Sequence, residues 1–336
     1  MNTKRIISLV ASLALVLSLS VGLTGCGDKA AQDDNQGSTD GEGTKYTVGI
    51  CQLVQHEALD AATQGFIDAL NEALPGQVEF QNKNASGDNA NCSTIVNGFV
   101  SDGVDLIMAN ATGALTAAAA ATSDIPILGT SITAYGVALD IDNFNGTVGG
   151  NISGTSDLAD LEAQANMITE WFPDATKVGL LFCSAEPNSR YQIGEVAKCL
   201  SDKGIETKEF AFTDTNDVAS VTQSAADYSD VVYVPTDNTA ASNTEAIANV
   251  VLAKKVPVIA GEEGIARGCG VAALSISYYD LGYQTGLMAY DILANGADVS
   301  TMAVQTAPSV TKKYNAANAE ALGITIPDDY EAIAED

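Results

Sequence analysis

The sequence predicts an α/β protein of two Rossmann-like lobes, each a parallel sheet flanked by helices, joined by a multi-strand hinge. Three observations carry this. Past residue 45, short apolar runs of strand length alternate with segments of helical period about a dozen residues long. The strand runs are continuously apolar, the pattern of strands buried on both faces. The alternation also restarts after a break rich in Gly and Asn, and a chain of 336 residues has room for two cores.

The first run opens with a strand at Tyr46 to Cys51, then a helix whose apolar face is Leu59, Ala62, Phe66, Ile67, Leu70 and Leu74, stopping at Pro75-Gly76. Val78 to Phe80 is the next strand. Cys92, Ile95, Val96, Phe99 and Val100 keep helical spacing as far as Gly103, and strands at Val104 to Ala109 and Ile125 to Gly129 bracket an Ala-rich helix. The stretch Tyr135 to Gly154 reads as the first crossover. The second run begins with a helix through Leu161, Ala165, Ile168 and Trp171, then strand Lys177 to Cys183 and a helix ending at Lys203-Gly204. Strands follow at Glu206 to Phe210, Asp230 to Val234, Val256 to Ala260 and Val271 to Ile276, with helices between the first three at Val218 to Ala226 and Thr244 to Lys255. A last helix opens at Tyr278-Tyr279-Asp280-Leu281-Gly282 and suits packing against the first lobe. The expected division is 46–137 plus 280–300 for lobe 1, and 138–279 plus 301–336 for lobe 2.

The N-terminus sets the compartment. Lys4 and Arg5 precede an apolar run, Ile6 to Val21, too short for a confident membrane span, and Leu23-Thr24-Gly25-Cys26 resembles a bacterial lipobox. Residues 1–25 are therefore expected to be a lipoprotein signal peptide and Cys26 the lipidated first residue. Residues 26–45 lack large apolar side chains and are expected to act as a tether spanning roughly 20–30 Å. The working part is then lipid-anchored on the extracytoplasmic face of a membrane.

Composition excludes several functions. With 43 acidic against 15 basic residues the formal charge is −28, which argues against a nucleic-acid partner, since phosphate binding needs a basic surface. A single histidine, His56, rules out His-rich metal sites. It heads a His56-Glu57 pair, but position 60 is Asp, so the two-His zinc helix is absent and His56 reads as a rim or surface residue. No phosphate loop or Gly-x-Gly-x-x-Gly occurs, and no cofactor is expected. Beyond Cys26, five cysteines remain with no Cys-x-x-Cys spacing; buried free thiols are the expectation, with Cys183 to Cys199 the conceivable bridge.

Open parallel sheets bind ligands outside the carboxyl ends of their strands. The residues there are polar, with carboxylates and hydroxyls suited to a small ligand bearing an ammonium group. The candidates are Gln52, Thr112, Ser131, Asn188, Ser189, Asp237, Asn238, Glu263 and Tyr278. Asp237 follows a buried strand and could supply the charge an ammonium requires, or simply cap a helix. Asn188 and Ser189 open a helix and could meet a carboxylate or serve as caps. Tyr278 could stack on an aromatic ligand or pack at the hinge.

The blocks Val48 to Ala61 (VGICQLVQHEALDA), Val148 to Gly154 (VGGNISG), Val234 to Thr239 (VPTDNT), Tyr278 to Gly282 (YYDLG) and Leu322 to Pro327 (LGITIP) resemble the ABC-transporter substrate-binding family associated with tryptophan and tyrosine uptake. The likeness spans nearly all of 46–336. It implies a type I periplasmic-binding-protein fold whose lobes close on an aromatic or related amino acid, delivered to a membrane permease and its cytoplasmic ATPase. It also implies that Asp237 meets the ammonium and that Asn188 with Ser189 meets the carboxylate. Cys51 stands where the family pattern usually has Thr, and Ala134-Tyr135 where it usually has Asp-Pro. A sugar or purine nucleoside ligand is the alternative within the binding class; a lipid-anchored hydrolase using Asp237 and Glu263 as paired carboxylates is the enzymatic alternative.

Overall fold

The computed structural model describes residues 45–307 and 309–334. The signal peptide, Cys26 and all but the last residue of the tether lie outside the described residues. In chain order the elements are β1 (Tyr46–Gln52), α1 (Glu57–Ala73), β2 (Val78–Asn84), α2 (Asn89–Asp102), β3 (Leu106–Asn110), α3 (Thr112–Ala121), β4 (Ile127–Ile132), α4 (Tyr135–Ala138) and β5 (Ile152–Ser156). The second run is α5 (Leu161–Trp171), β6 (Lys177–Cys183), α6 (Pro187–Asp202), β7 (Glu206–Phe212), α7 (Val218–Tyr228), β8 (Val231–Val234), α8 (Asn238–Ala241), α9 (Thr244–Lys254), β9 (Val258–Ala260), α10 (Glu263–Gly268) and β10 (Ala272–Ser275). The chain closes with α11 (Tyr278–Asn295), β11 (Gln305–Thr306), β12 (Thr311–Tyr314), α12 (Ala316–Leu322) and β13 (Glu331–Ala332).

The two predicted sheets form. One runs β11-β5-β4-β3-β1-β2 and is parallel throughout; the other runs β13-β12-β10-β9-β8-β6-β7, with β12 antiparallel to β10. In each, the first five strands follow the doubly wound order 2-1-3-4-5, which leaves a crevice at the carboxyl ends where the winding reverses. Apolar side chains fill both faces of both sheets: Ile107 and Phe99 lie on one side of the first sheet and Leu106 and Phe66 on the other. That explains the continuous apolar runs of β3, β4, β8 and β9, every residue of which is buried.

The lobe boundaries differ from the expectation. β5, assigned to lobe 2 as part of 138–279, pairs with β4 in the first sheet, and β11, assigned to lobe 2 as part of 301–336, pairs with β5. Residues 152–156 (ISGTS) have almost no large side chains because the space above them is taken. Tyr135 donates from its hydroxyl to the carbonyls of Gly129 (3.0 Å) and Thr155 (3.2 Å), and Thr155 bonds Thr285 of α11 at 2.9 Å. Three crossings therefore link the lobes: after β5, between β10 and α11, and between β11 and β12. All five cysteines among the described residues are free; Cys183 and Cys199 are not bridged.

α11 returns to lobe 1 and lies against α1 along a seam of glycines. A Cβ on Gly282 would stand 1.9 Å from the Ala62 carbonyl oxygen, and one on Gly65 would stand 2.1 Å from that of Tyr279. Backbone meets backbone there, so neither helix can yield without moving the sheet beneath it. Gly282→Ala is therefore expected to destabilise by about 2–4 kcal/mol, a fall in Tm of roughly 5–15 °C. Gly98→Ala is the control. It lies inside α2 with nothing within 4 Å of its would-be Cβ, and should stabilise by roughly 0.5–1 kcal/mol. Calorimetry of the two variants checks both signs, and an unchanged Tm for Gly282→Ala would refute the seam.

Candidate ligand-binding cleft

The carboxyl ends of the two sheets face one small, tightly closed cavity. Lobe 1 lines it with His56 and Leu59 at the start of α1, Ser131 and Thr133 around the end of β4, and Asp157 just past β5. Lobe 2 contributes Asn188, Thr236, Asp237, Asn238, Ala241 and Glu262, and Tyr278 stands at the crossing into α11. Three buried side-chain atoms of this lining have no hydrogen-bond partner: Ser131 Oγ, Asp157 Oδ1 and Asn188 Oδ1. Buried polar atoms are nearly always paired, so three unpartnered atoms together make this cavity the candidate site; Asn110 Oδ1 and Trp171 Nε1 are unpartnered elsewhere among the described residues.

Each orphan is held in place by its neighbours. Ser131 has φ 57° at an irregularity in the pairing of β4 with β5, a distortion that re-aims a side chain beside a site. Asp157 receives the Tyr278 hydroxyl on Oδ2 at 3.0 Å. Burial pushes its pKa up, against hydrogen bonds that favour the charged form. Asn188 spends its Nδ2 on Glu186 Oε2 (3.2 Å), Ser189 Oγ (3.3 Å) and the Thr236 carbonyl (3.0 Å), which leaves its oxygen facing the cavity.

The other carboxylates are committed to the scaffold. Asp237 accepts from Cys183 N at 2.6 Å and from Ala240 N at 2.8 Å, capping α8. Burial, and then the neighbouring Glu186 charge, raise its pKa to about 8. Glu186 ties the start of α8 from the opposite side, accepting from Asn238 N (3.0 Å) and Nδ2 (2.8 Å) and from Thr239 N (2.8 Å) and Oγ1 (2.8 Å). Glu262 caps α10 through Gly264 N (2.6 Å) and Ile265 N (2.5 Å), and burial raises its pKa to about 7.

Of the residues singled out from sequence, Ser131, Asn188, Asp237, Asn238 and Tyr278 line the cavity. Gln52 does not. Its amide is used up on the Val54 carbonyl, Asp60 and Thr63, bracing the turn into α1. Thr112 is buried at the start of α3, and Ser189 lies beneath Asn188; neither reaches the cavity. Glu263 points away, holding Arg267 (3.0 Å) and the Ser275 hydroxyl (2.5 Å); its neighbour Glu262 is the one that turns inward. Asp157 was missed because β5 was not recognised, so no strand end drew attention to it. His56, expected at the rim or surface, is part of the lining, and burial lowers its pKa.

The lobes meet across the cleft. His56 Nε2 lies 3.2 Å from Asn238 Oδ1, and Glu57 pairs with Arg267 at 3.0 Å. This is a closed arrangement, with the cavity shut between the lobes.

A family model described as ABC transporter substrate binding protein matches residues 47–336. A tyrosine-binding protein of Clostridioides difficile (strain R20291) is 34% identical over 317 residues, covering 91% of this chain and 88% of that one. A Streptococcus pneumoniae ABC domain solved in complex with L-Trp superposes with a TM-score of 0.81 at 30% identity, covering 85% of this chain and 97% of that one. The ligand-free, open structure of a Clostridium difficile substrate binding protein with adhesive properties gives 0.65 at 34% identity, covering 87% and 100%. The expected type I periplasmic-binding-protein architecture is thus present. A match that begins at the second residue of β1 and runs to the last residue of the chain makes this protein a member of the ABC transporter substrate-binding protein family.

Proposed function

We propose that this protein captures an aromatic amino acid between its lobes and delivers it to an ABC permease with its ATPase, working on the extracytoplasmic face from a lipid anchor on Cys26. The observation that carries the reading is the unpartnered Asp157 Oδ1 with Asn188 Oδ1 in the same cavity. Two buried acceptors, one of them a carboxylate, suit an ammonium group, which donates in several directions and neutralises the charge. The Ser131 hydroxyl is free to donate to the ligand's carboxylate. Leu59, Ala241 and the Tyr278 ring supply apolar surface for a side chain. This moves the ammonium from Asp237 to Asp157, since both oxygens of Asp237 are already engaged.

Two relatives support the choice of ligand, one named for tyrosine and one solved with L-Trp. The higher TM-score to the Trp complex than to the open structure, despite lower identity, supports reading the cleft as closed in its ligand-holding form. The hydrolase alternative paired Asp237 with Glu263, and Glu263 lies outside the cavity, turned to Arg267 and Ser275.

Titration calorimetry with L-tyrosine and L-tryptophan tests the assignment. Asp157→Asn should weaken binding by on the order of 10²-fold or more, while Glu263→Gln should change it by less than about 3-fold. Unchanged affinity in Asp157→Asn, or tighter binding of a sugar or nucleoside without an ammonium group, would sink the reading.

Stability of the free protein should depend on pH. Asp237 and Glu262 have folded pKa values raised to about 8 and about 7, so over that range the folded state holds protons that the unfolded chain has released. Stability then falls as pH rises from the ordinary carboxylate range through 7 to 8. Denaturant melts without ligand should give a higher midpoint at about pH 5.5 than at about pH 8. A midpoint rising over that interval would contradict the buried-carboxylate account.

A further inference from the structure

We propose that Cys51 and Cys92 form a dithiol that closes to a disulfide in the exported protein, clipping the end of β1 to the first turns of α2. Both side chains are fully buried in the same core cluster of lobe 1, close enough for each thiol to shift the other's acidity. The chain brings them together. Ala85 N bonds the Gln52 carbonyl at 2.9 Å, Asp88 N bonds the Ala85 carbonyl at 3.2 Å, and Cys92 N bonds the Asp88 carbonyl at 3.1 Å, so the start of α2 hangs from the end of β1. The remaining described cysteines have other company. Cys183 donates to the Thr213 carbonyl (3.6 Å), Cys269 to the Ile265 carbonyl (3.3 Å), and Cys199 sits half-buried on α6.

The two thiols are coupled, and either one, once ionised, can open the exchange. With a small-molecule disulfide as oxidant and Cys92 ionised first, its thiolate attacks one sulfur, the oxidant's S–S bond breaks, and one thiolate leaves. Cys51 then loses its proton and attacks the Cys92 sulfur, forming the Sγ–Sγ bond and expelling the second thiol. Two cysteine thiols are oxidised and one external disulfide is reduced. Full burial means the oxidant gains access while the chain folds or when the first turn of α2 opens.

The test is to refold the full chain in buffer poised with glutathione disulfide and glutathione, alkylate, denature and map peptides by mass spectrometry. The expected result is a linked Cys51–Cys92 peptide with Cys183, Cys199 and Cys269 alkylated, and a Tm roughly 5–10 °C above that of the phosphine-reduced sample. Cys92→Ser should yield no linked peptide and no dependence of Tm on redox state. Should that variant fail to fold, the oxidised and reduced wild-type samples decide by themselves. Complete alkylation of Cys51 and Cys92 in the oxidised sample, or either one linked to a different cysteine, overturns the proposal.

Discussion

The cleft is organised by the cost of burying carboxylates where no lysine or arginine lines the cavity. Asp157, Asp237 and Glu262 are buried in its lining, and Glu186 is buried beside Asp237. An ionised carboxylate stripped of water is tolerated only when donors replace the water or the group takes up a proton. Here backbone N–H groups at helix starts are the donors. Asp237 and Glu186 together hold the first turn of α8, and Glu262 holds that of α10. These short helices have little propensity to form alone. The carboxylates nucleate them, and the helix starts in turn make the buried charges bearable. Asp157 alone retains an oxygen with nothing to receive.

The rest of the fold delivers those groups to one place. Doubly wound sheets put all their useful loops at one edge, and α11 fixes how lobe 1 presents its share. Because Gly65 and Gly282 let α11 lie directly on the backbone of α1, the helix that opens with Tyr278 is rigidly joined to the helix that opens next to His56. Tyr278 then reaches Asp157 from a fixed position. The interlobe bonds are of a different kind. The Glu57 to Arg267 pair is half open to solvent and contributes little by itself, and the His56 to Asn238 bond is a single contact. Rigid lobes joined by weak contacts are what hinge closure requires.

Much of this was legible in sequence, and the exceptions share a cause. Central strands such as β3 and β8 announce themselves because both faces bury large side chains, and the strand-end rule then led to Ser131, Asn188, Asp237 and Asn238. β5 escaped because its neighbours Tyr135 and Thr285 demand small residues, so Ile152 to Ser156 resembles a loop. Asp157 was lost along with it. Glu262 and Glu263 are adjacent and chemically alike; only the φ and ψ at the helix start decide which one turns back to cap α10 and which reaches Arg267. Gln52 and Thr112 occupy the right strand ends but face inward, where Thr63 and the turn into α1 claim the first of them. Position after a strand identifies a neighbourhood, while the direction of a side chain within it depends on tertiary partners that no spacing rule contains.

In the proposed site, the open valence of Asp157 also links capture to closure. In an open cleft, water can solvate Oδ1 and no penalty arises. Closing the lobes removes that water, and without a ligand the carboxylate must either remain charged and unpaired or take up a proton, in line with its raised pKa. An ammonium group removes the conflict, because it brings the missing charge and donors at the moment the water leaves. The Asn188 oxygen, contributed by the opposite lobe, completes the same site only when the lobes have met. The weak direct contacts across the cleft therefore need not hold it shut; the differential affinity of the ligand for the closed form supplies that bias. A neutral ligand of the same shape would leave the charge unanswered, and so would favour closure far less.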